Sequence, residues 1–95
     1  MYYRVTGYKF DPSKYDAMMA YADSIKDQMR SIRGLTFVHT CRTGEDEGMV
    51  IGQYESEAAA DAAQQEVNSV WAGLGQYMTS PPQVHAGEVI WRSDD

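Results

Sequence analysis

The order in which this chain changes its hydrophobic period constrains its fold more than any single residue does. Tyr2–Phe10 alternates with a period of two, and Ser13–Ile32 follows with a helical period. Two further alternating stretches, Leu35–Arg42 and Met49–Glu55, are joined by the acidic turn Gly44-Glu45-Asp46-Glu47-Gly48. Glu57–Met78 returns to the helical period, and beyond Pro81-Pro82 the stretch Val84–Trp91 alternates again. Strand, helix, strand, strand, helix, strand is the split βαβ order of an α+β, ferredoxin-like chain. That order decides which residues can meet.

The helical stretches have recognisable edges. Asp11 is a good N-cap, and Pro12 suits the first helical position, where an N–H would be unpaired anyway. Met18, Met19, Ala22, Ile25, Met29 and Ile32 then share one face, and Gly34 stands where a helix commonly ends in a left-handed residue. The second helix starts after Ser56 and buries a stripe through Ala60, Ala63, Val67, Val70, Trp71, Leu74 and Met78. Its alanine-rich first half can lie close to whatever it covers. Gly73 and Gly75 predict a bend or a fraying end, since each weakens a helix by about 1 kcal/mol relative to alanine.

The strands are apolar on both alternating sets. Tyr3 and Val5 oppose Tyr8 and Phe10; Leu35 and Phe37 oppose Val38; Met49 and Ile51 oppose Val50 and Tyr54; Val84 and Ile90 oppose Val89 and Trp91. A sheet with one wet face would alternate apolar with polar residues. Two helices can cover one face, so a second copy of the sheet is expected on the other, making a homodimer. With 95 residues, the chain is read as one domain over positions 1–95, small enough to gain stability from such an interface. A net charge of −6 argues against nucleic acid or an anionic membrane as partner. Cys41 is the only cysteine, no leader pattern opens the chain, and no apolar run is long enough for a membrane span. The cytoplasm is the expected location.

Three local patterns add a likeness to this segment order: Arg33-Gly34-Leu35 entering the second strand, Gly52-Gln53-Tyr54-Glu55-Ser56-Glu57 leaving the third, and Gly87-Glu88-Val89-Ile90-Trp91 in the last. Over nearly its whole length the chain resembles the dimeric α/β barrel superfamily, in its antibiotic-biosynthesis-monooxygenase-like branch. The resemblance implies an antiparallel sheet of order 4-1-3-2 and a site in the cleft between sheet and helices. It also implies either a cofactor-independent monooxygenase acting on an aromatic or quinol-like substrate, or a non-catalytic dimeric binding or stress-associated domain. At the end of the third strand the branch commonly carries Glu-x-Trp-x-Ser; here Gly52 and Tyr54 stand at the Glu and Trp positions. The haem-degrading members use a histidine on the second helix, which this helix lacks, so neither haem nor a metal is expected.

Candidate chemistry is therefore sparse. Tyr54 and His39 are the expected catalytic pair, and Arg4, Gly52, Tyr54 and Trp71 the expected contacts for a small aromatic ligand. Each aromatic taken alone reads as packing before it reads as a ligand contact, because aromatic side chains dominate small cores. Gly7 and Gly52, at mid-strand, mark close helix docking or the floor of a pocket if both face the helices. His39 and His85 fall on opposite edges of the sheet and can meet only across a dimer. Cys41 shares the face of His39, and Glu45-Asp46-Glu47 is a solvated turn without calcium-loop spacing. A void under the second helix lined by Tyr54 and a titratable group favours an enzyme; continuous packing favours the binding domain.

Overall fold

In the computed structural model, which describes residues 1–95, the alternating stretches form β1 (Tyr2–Lys9), β2 (Leu35–Arg42), β3 (Glu47–Tyr54) and β4 (Gln83–Glu88). They pair antiparallel in the order β2-β3-β1-β4, which is the expected 4-1-3-2 read from the other edge. The helical stretches form α1 (Tyr15–Ser24), α2 (Lys26–Arg30), α3 (Glu57–Ala62) and α4 (Gln64–Leu74), packed on one face of the sheet. No helix is long and apolar enough to cross a membrane.

Both expected caps form. The Asp11 carboxylate accepts from the Ser13 N–H at 3.0 Å and the Ser13 hydroxyl at 2.7 Å, opening a 3₁₀ turn at Pro12–Lys14 that leads into α1. Ser56 Oγ accepts from the Ala59 N–H at 3.1 Å. Gly34 has φ of +83°, and a Cβ there would stand 2.7 Å from the Ala59 Cβ, so this glycine serves both the turn and the seating of α3.

Each expected long helix is in fact two. Ile25 (φ −104°, ψ 6°) separates α1 from α2, and Ala63 (φ −85°, ψ −6°) separates α3 from α4. Neither residue is a helix breaker, so packing overrides propensity at both points. The expected weakness at the glycines takes the form of a change of helix type: α4 stops at Leu74 and Gly75–Tyr77 form one 3₁₀ turn.

Register separates the two faces of the sheet. Tyr2, Arg4, Thr6 and Tyr8 lie on the helix side, in cross-strand rows with Tyr54, Gly52, Val50 and Gly48. Tyr3, Val5 and Gly7 lie on the open side with Gln53, Ile51 and Met49. Gly7 and Gly52 thus point to opposite faces, so the two mid-strand glycines do not share one pocket floor. An irregularity between Leu35 and Phe37 corrects the expected alternation in β2. It turns Leu35 toward the core with Val38 and leaves Phe37 on the open face, edge-on to Tyr3 at 6.4 Å. The last strand ends earlier than Trp91: β4 stops at Glu88, Val89 N–H donates to the Met1 carbonyl at 3.0 Å, and Ile90 and Trp91 are 95% and 77% exposed.

The helix-side core is a cluster of Ile32, Tyr54, Ala60, Ala63 and Val67, flanked by Tyr2, Met29, Leu35 and Trp71. Ala60 is fully buried, as the alanine-rich face of α3 requires for close docking.

Candidate functional site

Between the helices and the sheet lies a cleft of about 330 Å³. Val38 and Thr40 of β2, Val50 of β3 and Tyr8 of β1 make its floor. Met18, Met19 and Ala22 of α1 form one wall with Met29 of α2; Val67, Val70, Trp71 and Leu74 of α4 form the other, and Met78 follows from the 3₁₀ turn. The lining is overwhelmingly apolar. Its charged residues are Asp23 and Lys26, whose side chains pair at 3.4 Å in exposed positions.

Two tyrosines are held by glycines beside this cleft. Tyr8 crosses over Gly48, where any Cβ would collide with its ring, and its hydroxyl lies 2.8 Å from Thr40 Oγ1. The Tyr8 ring meets Trp71 edge-on at 6.2 Å. Tyr21 likewise occupies the place of a side chain at Gly73, and its hydroxyl donates to the Val70 carbonyl at 3.3 Å. Tyr8, Thr40 and Gly48 are absent from the site expected on the sequence. Gly48 reads there as a turn residue, and only the cross-strand register Tyr8–Gly48 reveals the space it provides.

The residues expected to act together fall in three places. Trp71 lines the cleft. Tyr54, Arg4 and Gly52 form a separate group beyond Val67, which touches both the cleft and the core cluster. Tyr54 is 3% exposed, and one edge of its ring lies 3.5 Å from where a Gly52 Cβ would be. The Arg4 guanidinium carbon sits 5.5 Å from the centre of the Tyr54 ring, and its Nη1 is buried without a hydrogen-bond partner. Burial pushes the Tyr54 hydroxyl above its ordinary pKa of 10.0, with the Arg4 charge opposing that rise.

His39 is on the other side of the sheet, stacked on Phe37 with ring centres 4.4 Å apart. The structure does not bring it to Tyr54. Pairing runs His39–Ile51–Val5–His85 across the open face, so the two histidines stand at opposite edges of one row. Cys41 is exposed on that same face, opposite Met49. Nowhere do three or more His, Cys, Asp or Glu side chains converge as they would to hold a metal ion.

This architecture is shared with solved structures. The chain matches Rv0793 from Mycobacterium tuberculosis with a TM-score of 0.79 at 17% identity, covering 97% of both chains. It matches a candidate antibiotic biosynthesis monooxygenase from Caulobacter crescentus with a TM-score of 0.80 at 17% identity, over 95% of this chain and 90% of that one. The protein of unknown function NE2512 from Nitrosomonas europaea gives 0.79 at 16% identity, over 97% of this chain and 91% of that one. No family model matches the sequence, and no curated protein matches it. The chain therefore has the fold of the antibiotic-biosynthesis-monooxygenase-like domains. At these identities the likeness defines the fold and leaves the reaction to the site.

Proposed function

We propose that the helix–sheet cleft receives a small, flat, mostly apolar aromatic molecule, and that the protein acts on it as a cofactor-independent monooxygenase. The observation that carries this reading is the cleft itself: about 330 Å³ of apolar space, within the range of roughly 300–1,000 Å³ usual for small-molecule sites. Four methionines line it, and thioethers adapt to and pack favourably on aromatic rings. Oxidation is supported by a solved structure of this fold that is named an antibiotic biosynthesis monooxygenase. In such chemistry an electron-rich substrate itself reduces dioxygen. One oxygen atom enters the substrate, and the other leaves as water with two of its hydrogens. The protein's part is to bind, orient and exclude bulk water.

In this reading Trp71 stacks against the ligand. Tyr54, with Arg4 and Gly52 beside it, backs the cleft through Val67, and His39 belongs to contacts between subunits. A second copy of the chain covers the open sheet face, where Tyr3, Val5, Phe37, Met49 and Ile51 offer apolar surface that nothing in one subunit covers. The whole chain acts as one unit, and the unpaired, exposed Cys41 suits a reducing, cytoplasmic setting.

A binding domain without catalysis is the second reading, and one observation favours it. Neither histidine lines the cleft, and the carboxylate that does, Asp23, is engaged with Lys26 at the exposed rim. Oxygen uptake with a dihydroxynaphthalene separates the readings. Uptake above the uncatalysed rate, lost when Ala22→Trp fills the cleft, supports the monooxygenase. Binding without uptake leaves the binding domain. Absence of binding removes both.

A further inference from the structure

The polar floor of the cleft has a direction. Thr40 Oγ1 lies 3.2 Å from the Met49 carbonyl oxygen, to which it donates, and 2.8 Å from the Tyr8 hydroxyl. A threonine hydroxyl has one hydrogen and two lone pairs, and a carbonyl can only accept. Both contacts are hydrogen bonds together in one arrangement alone: Tyr8 donates to Thr40, and Thr40 donates to Met49. The reverse order spends the Thr40 hydrogen on Tyr8 and leaves the Met49 contact without a proton. Making both bonds is the more stable choice, and each polarises the next.

The Tyr8 hydrogen is thereby committed to the wall, and the Tyr8 oxygen offers the cleft only lone pairs. Gly48 holds this orientation by leaving room for the ring, and Trp71 braces it edge-on at 6.2 Å. We infer that Tyr8 and Thr40 determine specificity in the cleft, selecting an apolar ligand that donates a hydrogen bond, a phenol or hydroquinone, over one that only accepts, an aryl ether or quinone. This inference rests on the proposal that the cleft is a ligand site, and deepens it. An acceptor-only ligand would set its own lone pairs against those of Tyr8 and gain no hydrogen bond from it.

The test is calorimetric titration with 2-naphthol and with its methyl ether, on wild type, Tyr8→Phe and Thr40→Val. The ratio of the two affinities is the readout, because changes in overall stability or cleft volume move both ligands together. Relative to Tyr8→Phe, wild type should favour naphthol by about tenfold, the size of one hydrogen bond. Thr40→Val should shift the ratio toward the ether, since Tyr8 then has its own proton to donate. Equal ratios in wild type and Tyr8→Phe would overturn the assignment of Tyr8. An unchanged preference for naphthol in Thr40→Val would overturn the proton order. If both ligands bind wild type, the cleft proposal stands whatever the ratios; if neither binds, it falls and takes this inference with it.

Discussion

Arg4 and Arg42 face the same side of the sheet in very different circumstances. Arg42 lies over the Tyr15 ring at 4.5 Å, and its guanidinium donates to the carbonyls of Gly44 at 3.2 Å and Glu45 at 2.6 Å. Arg4 has the Tyr54 ring, a buried Nη1 with no acceptor, and no ion pair. A ring face offsets only part of the desolvation of a charge. Replacing Arg4 by methionine, of similar shape and no charge, should therefore raise stability by the order of 1 kcal/mol, read from the urea midpoint. Its neighbour Tyr54 sets an alkaline limit. The folded-state pKa of its hydroxyl is raised above 10.0, so the unfolded chain loses that proton first as pH rises. The stability that Tyr54 contributes is intact below pH 10.0 and declines as pH climbs from there through the folded pKa. Tyr54→Phe should flatten this alkaline slope, seen as urea midpoints that diverge from wild type only above that pH.

At the scale of elements, small side chains seat α3 in the core. Ala60 of α3 is at 0% exposure and Ala63, just beyond its end, at 3%, so both methyl groups are enclosed by the core. Ala60→Leu should overpack this contact and lower the unfolding free energy by about 1–3 kcal/mol in chemical denaturation. Such docking was legible in the run Ala58–Ala63, as were the succession of strands and helices along the chain and both N-caps, because each depends on period, residue size or a side chain acting on its own turn; the order of strands within the sheet came with the family resemblance alone. The breaks at Ile25 and Ala63 were not, since neither residue carries a breaking signal and packing imposes them. The turn of Leu35 and Phe37 onto opposite faces was hidden for a related reason: one irregularity reverses alternation without changing any residue. The candidate site was legible only through Trp71. Tyr54 belongs to the core because its ring leans over Gly52, and Tyr8 enters the site because a glycine lies directly across the strand pair.

For the whole molecule, helices pack on one face of the sheet while leaving β4 exposed, and the other face presents Tyr3, Val5, Phe37, Met49 and Ile51. With a second copy seated there, as proposed above, Ile51→Asp at the middle of the face should both shift sedimentation to the monomer and lower the thermal midpoint. A wild-type chain that stays folded and monomeric at micromolar concentration contradicts that arrangement. The open face proposed for the second copy and the cleft lie on opposite sides of the sheet, and the methionines report on them separately. Met18, Met19, Met29 and Met78 line the cleft, while Met49 lies on the open face and Met1 near the chain terminus. The most direct measurement is therefore methyl NMR of methionine-labelled protein titrated with 2-naphthol. The four cleft methyls should shift together along one binding curve, with Met1 and Met49 unmoved; shifts confined to Met49, or none at all, would contradict the cleft as the site of function.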